Sequence, residues 1–309
     1  MSKLIVSVSP HVRDNSTTQR IMLDVLIALL PAAAASIWIF GFQALIVMLT
    51  CVATCVLAEL AFQVAMKQTV TVLDLSAAVT GLILSFNLPV SIPLWMAVVG
   101  SLFAIIVVKQ LFGGIGKNFA NPAITARVMM LIAFSGEMTK WVVPGSKLST
   151  MATPLAKLAQ GTETDVVKLL LGQHGGSLGE TCAVALLLGF AYLLFRKVIT
   201  WHIPVAFMGT VVVLTALLGQ NPIQHLLSGG LLLGAIFMAT DYVTSPLTRT
   251  GQIIYGIGCG LLTFMIRYFG SYPEGVSYAI LVMNTCVVLL DRLGRTTKFG
   301  APKKEAAKK

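Results

Sequence analysis

Long apolar segments recur through nearly the whole chain, and they constrain its fold more than any other feature. A helix needs roughly 20 apolar residues to cross the hydrocarbon core of a bilayer. Only 11% of the 309 residues are charged, whereas soluble domains carry about 25%. The pattern therefore predicts an all-α polytopic membrane protein. The predicted spans are 21–40, 44–66, 75–88, 92–111, 122–134, 181–195, 203–218, 226–240, 252–269 and 277–290.

A polar stretch, 140–179, divides these ten segments into two sets of five. A glycine-containing turn precedes the last span of each set, at 112–116 and at 269–273. The short third and eighth spans contain Gly81 and Gly234. Because five is an odd number, two copies of a five-helix unit have opposite orientations in the membrane. We therefore predict two inverted five-helix repeats, with a midplane site where the short segments meet.

The predicted organisation has five parts, and basic residues set its orientation. Lys and Arg favour cytoplasmic turns, and the turns on one side of the predicted bundle carry them while the short turns on the other side do not. Both termini are therefore predicted in the cytoplasm. The parts are a cytoplasmic N-terminal segment (1–20), the first repeat (21–135), an outer-face loop (136–180), the second repeat (181–291) and a basic cytoplasmic tail (292–309).

The net charge of +10 is concentrated in the tail, where seven Lys and Arg face a single Glu305. Such a tail is typical of a topology signal or of contact with anionic lipid in the bilayer. Basic and aromatic residues are not interleaved as base stacking requires, so no nucleic-acid partner is predicted. The histidines show no metal-ligand spacing, and Cys51 with Cys55 supply only two of the four ligands of an iron–sulfur cluster. No metal site is predicted.

Ionisable side chains at membrane depth usually mark ion or proton paths. The ion-path candidates are Glu59, inside the second span, and Asp241 and Glu274, near predicted helix ends. For Glu59 the alternative is a hydrogen bond to a neighbouring helix. Arg127 suits a phosphate or a carboxylate, and the alternative is a side chain that extends to the membrane surface.

Other polar and small residues carry two possible roles each. The amides of Asn118 and Asn121 suit either a ligand's hydrogen-bonding edge or a lock between helices. Gly256 and Gly260, four residues apart, are typical of close helix packing. Thr153-Pro154 in the polar loop is typical of a helix N-cap followed by Pro at the first helical position. A hydroxyl on an outer loop is also a possible acceptor for a covalently attached group.

Four sequence stretches together resemble the RnfD/NqrB family. This family contains the D subunits of Rnf ferredoxin:NAD oxidoreductases and the B subunits of Na⁺-pumping NADH:quinone oxidoreductases. The stretches are 9–31, the Gly- and Asn-rich 113–123, 238–246, and 272–275 together with Asn284. The resemblance runs nearly end to end. It is closer to RnfD, because the longer N-terminal extension of the quinone-reductase subunit is missing here.

The resemblance implies FMN joined through its phosphate to Thr153, with Thr150 and Ala152 in the attachment motif. A flavin transferase would attach it. A second, non-covalent flavin such as riboflavin is possible by analogy, and Arg127, Asn118 and Asn121 are candidate flavin contacts. The family's fold is similar to that of urea and ammonium transporters. Rnf subunits A, B, C, E and G are the implied partners, in the bacterial inner membrane.

The function implied by the resemblance is that of a redox subunit without activity on its own. It would carry electrons between the ferredoxin and NAD sides of a translocase that moves Na⁺ or H⁺. Three alternatives remain at this point. They are a B-like component of the quinone reductase, a urea- or ammonium-type solute transporter, and a scaffold that binds no flavin.

Overall fold

The computed structural model describes residues 16–142, 152–159, 164–270 and 275–293. Within these ranges every element of regular structure is a helix, which confirms the predicted all-helical class. The helices are α1 (Thr18–Phe40), α2 (Phe42–Ala65), α3 (Ser76–Phe86), α4 (Leu94–Leu102), α5 (Pro122–Ala133), α6 (Ser135–Met138), α7 (Pro154–Ala159), α8 (Val166–Leu171), α9 (Ala183–Phe195), α10 (His202–Leu217), α11 (Pro222–Leu227), α12 (Leu231–Leu233), α13 (Arg249–Phe269) and α14 (Val276–Leu293). A 3₁₀ turn (Val72–Asp74) precedes α3, and π-helical segments extend α4 (Phe103–Gln110) and α12 (Gly234–Met238).

Four of these helices, α1, α2, α13 and α14, are long and apolar enough to cross a membrane. Shorter apolar helices stand beside them, among them α3, α5, α9 and α10. Large apolar side chains such as Trp38, Phe42 and Phe195 are 91%, 71% and 85% exposed. An apolar surface of this kind requires lipid or another protein to cover it. The chain is therefore a membrane protein, as its composition predicts.

The predicted eighth span, 226–240, is broken at Gly229 and Gly230, two of the glycines that interrupt it in the sequence. Its first part, α11, ends at Leu227, and Gly229 and Gly230 then adopt φ angles of +69° and +67°, which glycine reaches without strain. Carbonyl groups exposed by such a break need donors inside an apolar bundle. Arg267 supplies them, since its Nη1 donates to the His225 carbonyl at 2.7 Å and its Nη2 to the Ser228 carbonyl at 2.9 Å. The segment is a broken helix fixed by a guanidinium.

Glycines allow the closest helix contacts, as predicted for Gly256 and Gly260. A Cβ atom added to Gly260 would lie 2.9 Å from the Phe207 carbonyl oxygen, and one on Gly256 the same distance from that of Ile203. Gly81 brings α3 equally close to the backbone of α2. Because such distances are shorter than real Cβ contacts, a larger residue at these positions would force the helices apart.

The two halves of the chain meet through their first and last helices. Helix α1 packs against α9, and α5 packs against α14. Arg196, at the end of α9, donates to Asp24 on α1 at 3.1 Å. The buried segment 174–181, which follows the polar loop, also inserts between the halves: the backbone N–H groups of Leu178 and Gly179 donate to carbonyls at the end of α3. The interface between halves is therefore both apolar and hydrogen-bonded.

Candidate functional site

A cavity of about 440 Å³ lies between the two halves of the bundle. Its wall is formed by the beginnings of α1, α3 and α5, the end of α9, and the π-helical segment after α12 with the connection that follows. Most of the lining is apolar, including Ile21, Val25, Ile83 and Phe237. Small-molecule sites typically measure about 300–1,000 Å³ and combine apolar walls with a few polar groups. The cavity has the dimensions and character of a ligand site.

Three of the predicted site residues come together in this wall, namely Asn118, Asn121 and Asp241. The two asparagines belong to the first half of the chain and the aspartate to the second. Thr240, Ser76 and Lys109 add further polar groups. The cavity is therefore built by both halves, and neither half alone contains it.

Asn121 is largely occupied by structural hydrogen bonds. Its Oδ1 accepts from the backbone N–H of Ala123 at 3.0 Å and so caps α5, while its Nδ2 donates to the Met238 carbonyl at 3.3 Å. Asn118 donates from Nδ2 to the Ala120 carbonyl at 2.9 Å. Asn121 thus locks the two halves together, which is one of the two roles predicted for these amides. Both side chains still line the cavity.

Asp241 lies in the connection after the second π-helical segment, at the rim of the cavity. The Thr244 hydroxyl donates to its Oδ2 at 2.9 Å. Burial raises the pKa of Asp241, and the hydrogen bonds from Thr244 and from the backbone of Val243 oppose that shift. A carboxyl group that is partly shielded from water takes up a proton more readily, so this residue is chemically suited to proton or cation exchange.

Glu59 is 1% exposed and forms an ion pair with Lys109, whose Nζ lies 2.9 Å from its Oε2. Gln110 and Gln63 donate to its other oxygen at 2.8 and 3.3 Å. Glu59 therefore makes the hydrogen bonds to a neighbouring helix that were predicted as the alternative to a place on an ion path. Because Lys109 lines the cavity and also holds Glu59, the second span is linked to the cavity through one ammonium group.

Arg127 does not line the cavity. It is 3% exposed, and its Nη1 donates to Asn87 Oδ1 at 2.6 Å. A Cβ atom on Gly230 would lie 3.9 Å from Arg127 Nη1 and 3.8 Å from Glu180 Oε2, so the guanidinium and this buried carboxylate approach the same glycine. The structure thus separates Arg127 from Asn118 and Asn121, with which it was grouped as a flavin contact.

Thr153 is the N-cap of α7, as its sequence predicts. Its Oγ1 accepts a hydrogen bond from the backbone N–H of Ala156 at 3.2 Å, and the side chain is 6% exposed. Ala152 beside it is exposed. Helix α7 rests on the broken helix, because a Cβ atom on Gly229 would overlap Leu155 Cδ1. Thr150 and Glu274, the remaining predicted site residues, lie outside the described residues.

The polar loop and the cavity lie toward opposite ends of α1. The cavity contacts residues 18–25 at the beginning of this helix. At its other end, Ile39 approaches Gly172, which terminates α8 in the second part of the loop. The intervening 14 to 21 residues correspond to roughly 20–30 Å of helix at about 1.5 Å per residue. The cavity and the end of α8 are therefore separated by most of the thickness of a bilayer core.

Lys109 is the residue of this site that sequence reasoning missed. It counted only as a positive charge in a cytoplasmic turn, yet it is 3% exposed. The apolar residues immediately before it, 103–108, were a usable signal, since they continue the helix up to the lysine. Its partner Glu59 is 50 positions away, so no local pattern joins the two.

Together these features define a polytopic membrane protein whose described residues form an all-helical bundle, with a cavity between its halves and a short helix that begins at Thr153. Residues 5–300 match the family described as NQR2, RnfD, RnfE. The chain belongs to this family, as its motifs indicated.

Individual relatives cover almost the whole chain. It is 47% identical over 306 residues to the D subunit of the Na⁺-translocating ferredoxin:NAD⁺ oxidoreductase complex from Acetobacterium woodii, covering 97% of this chain and 96% of the relative. It is 41% identical over 320 residues to the D subunit of the proton-translocating ferredoxin:NAD⁺ oxidoreductase complex from Clostridium ljungdahlii, covering 96% of each. It is also 40% identical to the D subunit of the ion-translocating oxidoreductase complex from Stutzerimonas stutzeri, covering 92% of this chain and 93% of the relative.

Proposed function

We propose that this chain is the D subunit of an ion-translocating ferredoxin:NAD⁺ oxidoreductase in the bacterial inner membrane. The observation that carries the proposal is the 47% identity, over 97% of the chain, to a protein of that description. The chain works inside a complex with Rnf subunits A, B, C, E and G, and it has no oxidoreductase activity by itself. Its role is to hold redox groups at defined depths and to couple their charge to ion movement.

The first cofactor in this proposal is FMN, esterified through its phosphate to Thr153 by a flavin transferase. The threonine hydroxyl is the group that such an ester requires, and its oxygen can keep the hydrogen bond from the Ala156 N–H after esterification. Ala152, next to it, is exposed, so the attachment motif reaches the protein surface. Flavin supplies one- and two-electron chemistry, and the protein supplies its position and surroundings.

The second cofactor is a non-covalent flavin in the cavity, and the charges of the lining favour riboflavin over FMN. Lys109 is the only basic group among the described residues of the wall, and it is already paired with Glu59. Asp241 adds a carboxyl group. A phosphate in this cavity would have to draw Lys109 away from Glu59, whereas a neutral ring system needs only the apolar walls and the amide of Asn118.

The helix contacts support the two inverted five-helix repeats in this proposal. The first repeat contains α1 to α5 and the second contains α9 to α14, with α11 and α12 together taking the place of α3. The first helices of the two repeats, α1 and α9, pack against each other, and so do the last helices, α5 and α14, as a twofold relation requires. Within each repeat the second element packs on the third and on the fourth. The resulting arrangement is the one expected of the urea/ammonium-transporter-like fold.

The proposed topology puts both termini and the cavity at the cytoplasmic side and the flavin helix α7 at the outer side. It rests on the distribution of basic residues and on the opposite positions of cavity and loop along α1. Glu59 and Asp241 would then lie on the cytoplasmic half of an ion path. Relatives at 47% and 41% identity are described as Na⁺- and proton-translocating, respectively, so similarity leaves both Na⁺ and H⁺ as coupling ions.

One rival function is a solute transporter of the urea or ammonium type. Such a protein requires a polar pore, often lined by histidine, and has no need of an ordered helix at Thr153. The described residues that line the cavity include no histidine. Uptake of solute by the isolated chain in liposomes would favour this rival.

Intact-mass analysis of the chain, produced together with a flavin transferase, tests the redox proposal. The expected result is an added mass of FMN less one water, with fluorescence that survives denaturing electrophoresis. Thr153→Ala removes both signals, while Thr139→Ala, which changes an exposed threonine nearby, keeps both. An unmodified mass in the presence of active transferase would contradict the covalent cofactor.

A further inference from the structure

A buried ionic cluster separates the cavity from the predicted cytoplasmic surface. Lys109 Nζ lies 2.9 Å from Glu59 Oε2 and donates to Ser76 Oγ at 2.6 Å. Lys109 and Ser76 line the cavity, whereas Glu59 lies behind them. The ammonium group therefore stands between a carboxylate and the space where a ligand would bind.

A polar chain leads from this cluster to the surface. Gln63 Nε2 contacts both Glu59 Oε1, at 3.3 Å, and Thr71 Oγ1, at 2.8 Å. Thr71 is exposed. Glu59 is thus two side chains away from water on one side and one side chain away from the cavity on the other.

The charges of the cluster do not balance. Asp74 accepts hydrogen bonds from the backbone N–H and the hydroxyl of Ser76, at 2.8 and 2.6 Å, so its carboxylate belongs to the same network. The ionisable groups that face one another are therefore Glu59, Asp74 and Lys109, two carboxylates against one ammonium. A second monovalent cation would neutralise this group, since Asp74 is half-buried and its Oδ2 is shielded from water without a hydrogen-bond partner.

The backbone that carries Lys109 is unusual as well. The residue lies in the π-helical segment Phe103–Gln110. Wide turns of this kind are frequent at functional sites. The lysine side chain is long and flexible and carries its charge at the tip, so its ammonium can exchange one acceptor for another without a change in the backbone.

We infer that Lys109 is a positioning residue whose ammonium is shared between Glu59 and an electron-rich or anionic ligand in the cavity. When the ligand draws the ammonium away, Glu59 becomes a site for one monovalent cation, Na⁺ or H⁺, entering past Gln63. The coupling is reciprocal: a cation at Glu59 releases Lys109 and strengthens ligand binding. This inference rests on the proposed function, because it gives the cavity ligand its link to ion movement.

Labelling of the full-length chain with dicyclohexylcarbodiimide tests the inference without any catalytic turnover. This reagent adds to protonated carboxyl groups in apolar surroundings, and mass spectrometry locates the adduct. In the wild type, Lys109 keeps Glu59 unreactive. Lys109→Met is expected to raise labelling of Glu59 at least about ten-fold, since one order of magnitude corresponds to only about 1.4 kcal/mol of lost charge stabilisation. Lys109→Arg restores protection, and Lys117→Met, which changes an exposed lysine, leaves labelling unchanged.

The dependence of Glu59 labelling on Na⁺ and on pH identifies the cation that takes the place of the ammonium. Slower labelling of Lys109→Met in Na⁺ than in K⁺ assigns the site to Na⁺, and labelling that ignores Na⁺ but falls with rising pH assigns it to H⁺. Equal labelling of wild type and Lys109→Met would overturn the inference, as would the absence of label from both. If Lys109→Met does not fold, Lys109→Gln, which keeps a donor for Ser76, replaces it.

The ligand half of the inference is tested on the wild type with riboflavin, oxidised or reduced by dithionite. Bound flavin is expected to increase labelling of Glu59 when it is reduced and not when it is oxidised. Flavin that binds in both states without changing the labelling would overturn the shared role of Lys109. A chain that binds no riboflavin would instead contradict the proposed second cofactor. Comparing Lys109→Met with the wild type would still decide whether the ammonium protects Glu59 from labelling.

Discussion

Lys109→Met is the substitution whose effect on stability the structure defines most sharply. It removes the ammonium from a pair in which the lysine is 3% and the glutamate 1% exposed. Breaking one side of a buried pair typically costs about 3–5 kcal/mol, because the other charge is left uncompensated. Glu59 keeps its hydrogen bonds from Gln110 and Gln63, at 2.8 and 3.3 Å. Because these two donors still stabilise the carboxylate, we expect Lys109→Met to lower the free energy of unfolding by about 3 kcal/mol, the lower end of that range.

A double-substitution cycle isolates the pair. Glu59→Gln combined with Lys109→Met removes both charges, so the expected loss for the double variant is about 1 kcal/mol, about 2 kcal/mol less than for Lys109→Met alone. The assay is thermal unfolding in detergent with a thiol-reactive dye, since Cys51, Cys55 and Cys259 are free and buried in the folded chain. At about 2–4 °C per kcal/mol, Lys109→Met lowers the midpoint by about 6–12 °C. A double variant as unstable as Lys109→Met would refute the reasoning.

Three further predictions concern packing, pH and the helix break. Gly260→Leu separates α10 from α13 and lowers the unfolding midpoint in the same dye assay by several degrees, since overpacking typically costs about 1–3 kcal/mol; Gly209→Leu, where a Cβ meets open space, does not. Asp241→Asn is expected to raise the unfolding midpoint near neutral pH. The difference from the wild type shrinks as pH falls through the raised pKa of Asp241, because protonation then removes the same buried charge from the wild type. A series of unfolding midpoints at different pH values checks this. Arg267→Gln removes donors to three backbone carbonyls and destabilises the chain by about 2–3 kcal/mol, whereas Arg249→Gln at an exposed helix start is neutral in the same assay.

Local patterns predicted those parts of the structure that depend on neighbours in sequence. The predicted span 122–134 begins where α5 begins, and the structure shows why: Asn121 caps the helix and Pro122 suits its first turn. Thr153 followed by Pro154 marks the beginning of α7 in the same way. Apolar composition and span lengths likewise indicated an all-helical membrane protein.

Other parts depended on contacts between residues far apart, which a single sequence does not reveal. The broken helix at 228–230 is stabilised by Arg267, some 40 positions away. The sequence showed that Gly229, Gly230 and Gly234 interrupt the predicted span at 226–240, but not which side chain stabilises the break. Similarly, the cavity joins Asn118 to Asp241 across the two halves, and Glu59 finds Lys109 on another helix. Hydropathy reports which segments lie in a bilayer but not which of them meet.

The central claim is that one chain holds two flavins of different kinds, one covalent at Thr153 and one exchangeable in the cavity. Acid precipitation of the purified chain, made with a flavin transferase, separates them: covalent FMN stays with the protein and riboflavin is released. We expect equimolar amounts in the two fractions, with Thr153→Ala losing only the flavin in the precipitate. Flavin that is entirely released, or that remains in the precipitate of Thr153→Ala, would contradict the claim.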